Sequence, residues 1–124
     1  MATHLDTGKI GEDAAVAYLT RKGYRMAARN YRPTAGRGEV DIIAWQRDDL
    51  LVFVEVKTRA GDGFGGPTAA VGTKKMDLMA RVAGQYMEEI GYEWAVRFDV
   101  VAVYVRKGEV KGIEHFEDVF FPGA

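Results

Sequence analysis

Two neighbouring stretches carry the strongest structural signal in this chain: Glu39-Val40-Asp41-Ile42-Ile43-Ala44-Trp45 and Leu51-Val52-Phe53-Val54-Glu55-Val56-Lys57-Thr58-Arg59. Both are rich in β-branched and aromatic residues. Gln46, Arg47, Asp48 and Asp49 between them have turn composition, so the two stretches are expected to form a hairpin. Side chains alternate along a strand with period two. In the second stretch Val52, Val54 and Val56 therefore share one face, while Glu55 and Lys57 continue the line of Leu51 and Phe53 on the other. In the first, Val40, Ile42 and Ala44 are expected on one face and Glu39, Asp41 and Ile43 on the other. Charges thus interrupt an otherwise apolar face of each strand, a departure from pattern that needs a physical reason.

If Trp45 pairs with Leu51, the antiparallel register sets Asp41 opposite Glu55 and Glu39 opposite Lys57. Opposed side chains lie with Cβ atoms roughly 5 Å apart, and like charges there repel. Two carboxylates so placed on a half-buried sheet are stable only if one binds a proton or both share a cation. A divalent metal with oxygen ligands meets that need and keeps room for water. Lys57 can then hold or deprotonate an attacking water, or stabilise a charged phosphate transition state. Metal, water and lysine in one place suit phosphodiester hydrolysis. Spacing alone leaves two other readings open. One is an exposed Glu39–Lys57 salt bridge, a kind of pair that contributes little. The other is a glycosidase-like pair of Asp41 and Glu55, for which few exposed aromatic residues are at hand to build a sugar cleft.

The other elements arrange themselves around this hairpin. Gly8 to Lys22 reads as a helix with Ala14, Ala15, Val16, Ala17, Tyr18 and Leu19 as its apolar body, stopped by Gly23. Tyr24 to Tyr31 is a weakly patterned strand, and Pro33, Gly36 and Gly38 mark a loop. A glycine-rich loop, Ala60 to Pro67, follows the hairpin. Thr73 then caps a second helix running to about Ile90, with Met76, Met79, Ala83, Tyr86 and Ile90 as its apolar stripe and Gly91 as its end. Arg97 to Val105 is a long valine-rich strand, and Val110 to Phe116 carries a weaker strand signal. The expected class is α/β, in the order α-β-β-β-α-β: one mixed sheet of four to five strands flanked by helices, a single domain over residues 1–124.

Composition narrows the function classes. With 124 residues the chain can bury one hydrophobic core, and with no cysteine it has no disulfide framework, thiolate zinc site or cysteine nucleophile. Met1 to Ile10 lacks a signal-peptide core, and no stretch approaches the roughly 18 apolar residues of a membrane span, so a cytoplasmic protein without membrane contact is expected. A net charge of −1 argues against binding nucleic acid through bulk positive charge. The charge is polarised, however. Arg21, Lys22, Arg25, Arg29, Arg32 and Arg37 fall in a segment whose single acid is Glu39, near its end, whereas acids crowd the C-terminal third. Arg29, Arg32 and Arg37 are the candidates for phosphate contacts; a solvated helix end and edge strand would look the same.

Asp41 followed by Glu55-Val56-Lys57 on the next strand resembles the catalytic motif of the PD-(D/E)xK nuclease superfamily. The surrounding motifs are more specific. Gly11-Glu12 with Tyr18-Leu19, Arg29-Asn30-Tyr31-Arg32, Gly38-Glu39-Val40-Asp41, Val52 through Arg59 and Arg97-Phe98-Asp99-Val100-Val101 resemble the YraN family of predicted endonucleases, related to archaeal Holliday-junction resolvases. The likeness covers nearly the whole chain.

It implies a restriction-endonuclease-like fold and a Mg2+ (or Mn2+) cofactor held by Asp41, Glu55 and the Val56 carbonyl, with Lys57 as the catalytic lysine. It also implies that Glu12 matches an acid on the first helix that reaches the metal. Glu12 shares a helical face with Ala15, Val16 and Leu19, and a favourable charge in the first helical turn would explain it equally well. The resemblance further implies a homodimer, since a symmetric double cut needs two sites about a two-fold axis. The expected function is a Mg2+-dependent DNA endonuclease acting on branched, Holliday-junction-like, or single-stranded DNA. The alternative is a non-catalytic nucleic-acid-binding or protein-interaction domain on the same fold. Phe64, in the glycine-rich loop, is positioned either to stack on an unpaired base or to tuck into the core. Asp99 reads as a buried structural acid, and His4 and His115 as surface residues.

Overall fold

A computed structural model describes residues 4–61 and 73–119. Seven elements follow one another: α1 (His4–Arg21), β1 (Arg25–Tyr31), β2 (Val40–Arg47), β3 (Leu50–Ala60), α2 (Thr73–Ile90), β4 (Ala95–Arg106) and β5 (Glu109–Phe116). The strands form one five-stranded sheet in the order β1-β2-β3-β4-β5. β1, β2 and β3 are antiparallel neighbours, β4 runs parallel to β3, and β5 returns antiparallel to β4. The parallel step is what places α2 between β3 and β4, because a parallel neighbour needs a crossover. None of the described helices is long and apolar enough to cross a membrane.

Alternation in β3 builds two cores, one per sheet face. Val52 and Val54 pack with Ala15 and Leu19 of α1 and with Val101 and Val103 of β4, and Val56 leans on the same cluster. Leu51 and Phe53 point the other way, onto Met79, Val82 and Ala83 of α2 and Phe98 of β4. Each fully buried side chain of this size contributes about 1.5–3 kcal/mol. The face assigned to the β3 valines is the one observed. Val40 is not where alternation puts it: it packs with Ile43, Met79 and Val82 rather than with Ile42. Gly38 explains the detour. It takes φ +110°, and a Cβ there would stand 2.7 Å from Val82 and 2.9 Å from Leu78, so the chain enters β2 pressed against α2.

α1 starts at His4, four residues before the expected Gly8. An interior glycine costs only about 1 kcal/mol relative to alanine, too little to stop a helix with a packed body ahead of it. Glu12 therefore lies well inside the helix, and the first-turn explanation for it falls away. On α2 the observed stripe is Met79, Val82, Ala83, Tyr86 and Met87, while Ile90 is 43% exposed. At 3.6 residues per turn Ile90 still falls on this face, but it is the last residue of α2, at the end of the packed stripe. β1 carries a register shift between Met26 and Ala28, which is why its alternation was faint in the sequence. Thr73, as a capping side chain, and the loop through Pro67 with Phe64 lie outside the described side chains.

Candidate active site

β2 and β3 meet in the expected register, with Trp45 opposite Leu51. Their ladder runs only as far as Ile42 opposite Val54. Beyond it the strands part, and the Val56 amide donates instead to Asp41 Oδ2 at 2.8 Å. Asp41 thus sits in a fork, holding the backbone of β3 with one carboxylate oxygen. Val56 remains in register with Val101 of β4 on its other side, so the arm of the fork that carries Glu55 and Lys57 is anchored.

The fork is electrostatically strained. Removal from water pushes Asp41 up from the ordinary carboxylate range to about 7; the Val56 amide opposes this, the charges of Glu55 and Glu39 add to it, and Lys75 opposes it. Glu55 has only 14% of its side chain exposed, and its Oε2 pairs with Lys75 Nζ at 3.2 Å. Its other oxygen, Oε1, is buried with no hydrogen-bond partner among the described residues. Burial lowers the Lys57 pKa, the positive charges of Arg59 and Lys75 lower it further, and Glu55 acts in the opposite direction. Asp41, Glu55, Lys57 and Lys75 therefore share one electrostatic neighbourhood.

A buried carboxylate oxygen without a donor costs free energy until a proton, water or cation reaches it. With Asp41 beside it, also short of water, the donor set is hard, anionic and all oxygen. That chemistry suits Mg2+ or Mn2+. The residues present fit such an ion.

Glu12 is engaged elsewhere. Its Oε1 accepts from Arg29 at 2.9 Å and its Oε2 from the Asn30 amide group at 2.8 Å. Asn30 adopts φ 50° and stands across β1–β2 from Asp41, between the pairs Arg29–Ile42 and Tyr31–Val40. The Glu12 carboxylate is thus held at the strand next to Asp41, and the structure does not gather it with Asp41 and Glu55. Among the described residues no three His, Cys, Asp or Glu side chains converge as a metal site. Glu39 accepts a hydrogen bond from Arg32 Nε at 3.1 Å.

The three candidate phosphate-binding arginines differ in what surrounds them. Arg29 is paired with Glu12 and with Asp13 at 2.8 Å, and Arg32 with Glu39. Arg37 is exposed and lines a cleft of about 270 Å3 with Lys74, Asp77, Leu78 and Arg81 of α2. Phe64 lies outside the described residues.

Lys75 was not singled out from the sequence, although a signal existed. Lys74 and Lys75 occupy the first turn of α2, which contains no acid. Cations at that end oppose the helix dipole, so a lysine pair there implies an anion nearby. Glu55 is that anion for Lys75.

Asp99 is the buried structural acid it was expected to be. It is fully buried and accepts from Arg97 Nε and Nη2, both at 2.8 Å, from the Asp118 amide at 3.0 Å and from His115 Nε2 at 2.7 Å. Burial alone would raise its pKa, but the bonds from His115, Arg97 and the Asp118 amide hold it below the ordinary range. His115 corrects the expectation of a surface residue: its side chain is 3% exposed, drawn inward because buried Asp99 needs donors. Nothing is described of the His4 side chain.

Residues 11–103 match the model of the uncharacterised protein family UPF0102. The chain is 43% identical over 121 residues to a UPF0102 protein of Flavobacterium psychrophilum, covering 98% of each chain. It is 45% identical over 121 residues to one of Rhodococcus jostii, covering 97% of this chain and all of that one. A third, from Alkaliphilus oremlandii, is 47% identical over 116 residues, covering 91% and 96%.

Proposed function

Because this chain belongs to the uncharacterised protein family UPF0102, whose description names no activity, its function has to be read from the site, and we propose that it is a Mg2+-dependent DNA endonuclease of restriction-endonuclease-like fold. The observation that carries this reading is the orphaned, buried Oε1 of Glu55 beside a desolvated Asp41. Two carboxylates left in that state want a shared cation. Asp41 and Glu55, with the Val56 carbonyl, would hold it; a bound Mg2+ or Mn2+ supplies charge neutralisation at the phosphate and an acidified water.

The chain's own groups do the rest. The Val56 amide fixes the Asp41 carboxylate, so its remaining oxygen has a defined direction. Lys57, its pKa lowered by burial, is moved toward the range in which an amine accepts a proton from water. When charged, the same ammonium stabilises the developing charge on phosphate. Branched or single-stranded DNA is the proposed substrate, and a homodimer the arrangement that cuts two strands symmetrically.

One observation favours the second reading, a nucleic-acid-binding domain without catalysis: Lys75 already neutralises part of Glu55 without any metal. A cleavage assay with Mg2+ and with Mn2+ on duplex, single-stranded, flap and four-way-junction DNA separates the two. The nuclease reading expects cutting of at least one substrate, abolished by EDTA and by Asp41→Asn. Binding without cutting across the panel supports the second reading.

A further inference from the structure

The cleft between Arg37 and α2 belongs to neither the carboxylate fork nor the core. Among the described residues its lining holds three cations, Arg37, Lys74 and Arg81, and one acid, Asp77. All three cations are exposed, and among the described residues none of them forms an ion pair, in contrast to Arg29 and Arg32. The walls are set by packing. Gly38, next to Arg37, lies so close to Leu78 and Val82 that a Cβ would not fit, which fixes the loop against the helix. Lys74 and Arg81 are seven residues apart on α2, about 10 Å along its axis. Over that distance one strand of a duplex presents roughly three phosphates. Chain neighbours of the lining lead to the fork: Lys75, next to Lys74, pairs with Glu55, and Asp41 follows Arg37 by four residues.

We infer that this cleft is a seat for a continuous phosphodiester strand, gripped at Arg37, Lys74 and Arg81 and delivered to the fork between Asp41 and Glu55. Two cations along α2 and a third facing them from the loop, with no ion pair among the described residues, match a repeating anion, whereas a single phosphate would engage only one or two of them. Asp77 lies between Lys74 and Arg81 in the sequence, and no ion pair joins it to either of them among the described residues. The inference deepens the nuclease reading and rests on it for the destination of the strand; the binding itself does not require catalysis.

The test measures binding of a fluorescent 20-nucleotide single strand and of its duplex, in EDTA, over a range of salt. It compares wild type, the triple variant Arg37→Gln/Lys74→Gln/Arg81→Gln, and a control of equal charge, Arg21→Gln/Arg25→Gln/Arg47→Gln. The cleft variant should bind about 10- to 100-fold more weakly, with a log–log salt slope shallower by about 2–3, since each lost phosphate contact removes slightly less than one unit. The control should stay within about twofold of wild type. Inorganic phosphate should compete only at far higher concentration than an unlabelled oligonucleotide. Equal losses in both triple variants, no binding by wild type, or competition by phosphate as effective as by the oligonucleotide would each overturn the proposal. Cleft-dependent binding with no cleavage under Mg2+ or Mn2+ sinks the nuclease and leaves the seat standing. Cleavage that is unimpaired in the cleft variant sinks the seat alone.

Discussion

Lys75 Nζ stands 3.2 Å from Glu55 Oε2, joining the first turn of α2 to the strand that carries the proposed catalytic pair. The ammonium occupies part of the field a divalent cation would use. Replacing it with a neutral chain, Lys75→Met, should therefore lower the melting temperature of metal-free protein, because Asp41 and Glu55 lose a shared counter-charge. It should also tighten Mg2+ and Mn2+ binding several-fold. Calorimetry checks the second effect and melts in EDTA the first. Weaker metal binding in Lys75→Met would mean that the lysine positions Glu55 for the ion.

Asp41 gives a pH dependence of defined sign. Its folded pKa, about 7, lies above the ordinary value of 3.8. Between those limits the folded protein binds more protons than the unfolded chain, so stability falls as pH rises from about 4 to 7. The loss from this one group should be roughly 2–4 kcal/mol. Urea unfolding across that range should show it in wild type, and Asp41→Asn should flatten it. Added Mg2+ should restore stability at pH 7 and above. Identical pH curves for wild type and Asp41→Asn would assign the titration to another group.

Lys57 should act on turnover more than on affinity. Lys57→Ala is expected to reduce DNA cleavage at least about 100-fold, the scale of a lost acid–base group, while DNA binding in EDTA changes little. A group that works mainly in the transition state behaves in this way. Wild-type cleavage by Lys57→Ala would make the lysine structural.

Gly11 is a packing prediction independent of the chemistry. A Cβ at this position would stand 2.0 Å from Thr58 Oγ1 and 3.0 Å from its Cβ. Alanine normally stabilises a helix interior by about 1 kcal/mol over glycine. Here Gly11→Ala should instead destabilise by about 1–3 kcal/mol, because α1 must lift from β3. Chemical denaturation measures the sign directly, and a second variant, Gly11→Ala/Thr58→Gly, should recover most of the loss.

How much of this was legible beforehand divides along a physical line. Period-two alternation is a property of local covalent geometry, so residues 51–57 were enough to put Val52, Val54 and Val56 on one face and Leu51 and Phe53 on the other. The turn composition of Gln46 to Asp49 marked the hairpin, although Gln46 and Arg47 belong to β2, and the assumed pairing of Trp45 with Leu51 is the one observed. An acid inside a valine run, Asp99, reads as a buried, hydrogen-bonded residue because an unsatisfied carboxylate there is costly.

The partners of the charged groups were not legible in the same way. Glu12 with Arg29 and Asn30, Glu55 with Lys75, and His115 with Asp99 are pairings between elements, made when the helices dock on the sheet. No local period encodes them. Only packing decided that Arg29 and Arg32 are neutralised while Arg37 joins Lys74 and Arg81, and that Val40 turns toward α2 once Gly38 presses the chain against it. Local alternation suffices for the faces of β3, where no docking contact redirects the chain. The tertiary structure alone decided which charges meet, because a Coulomb interaction depends on distance through space and not along the chain.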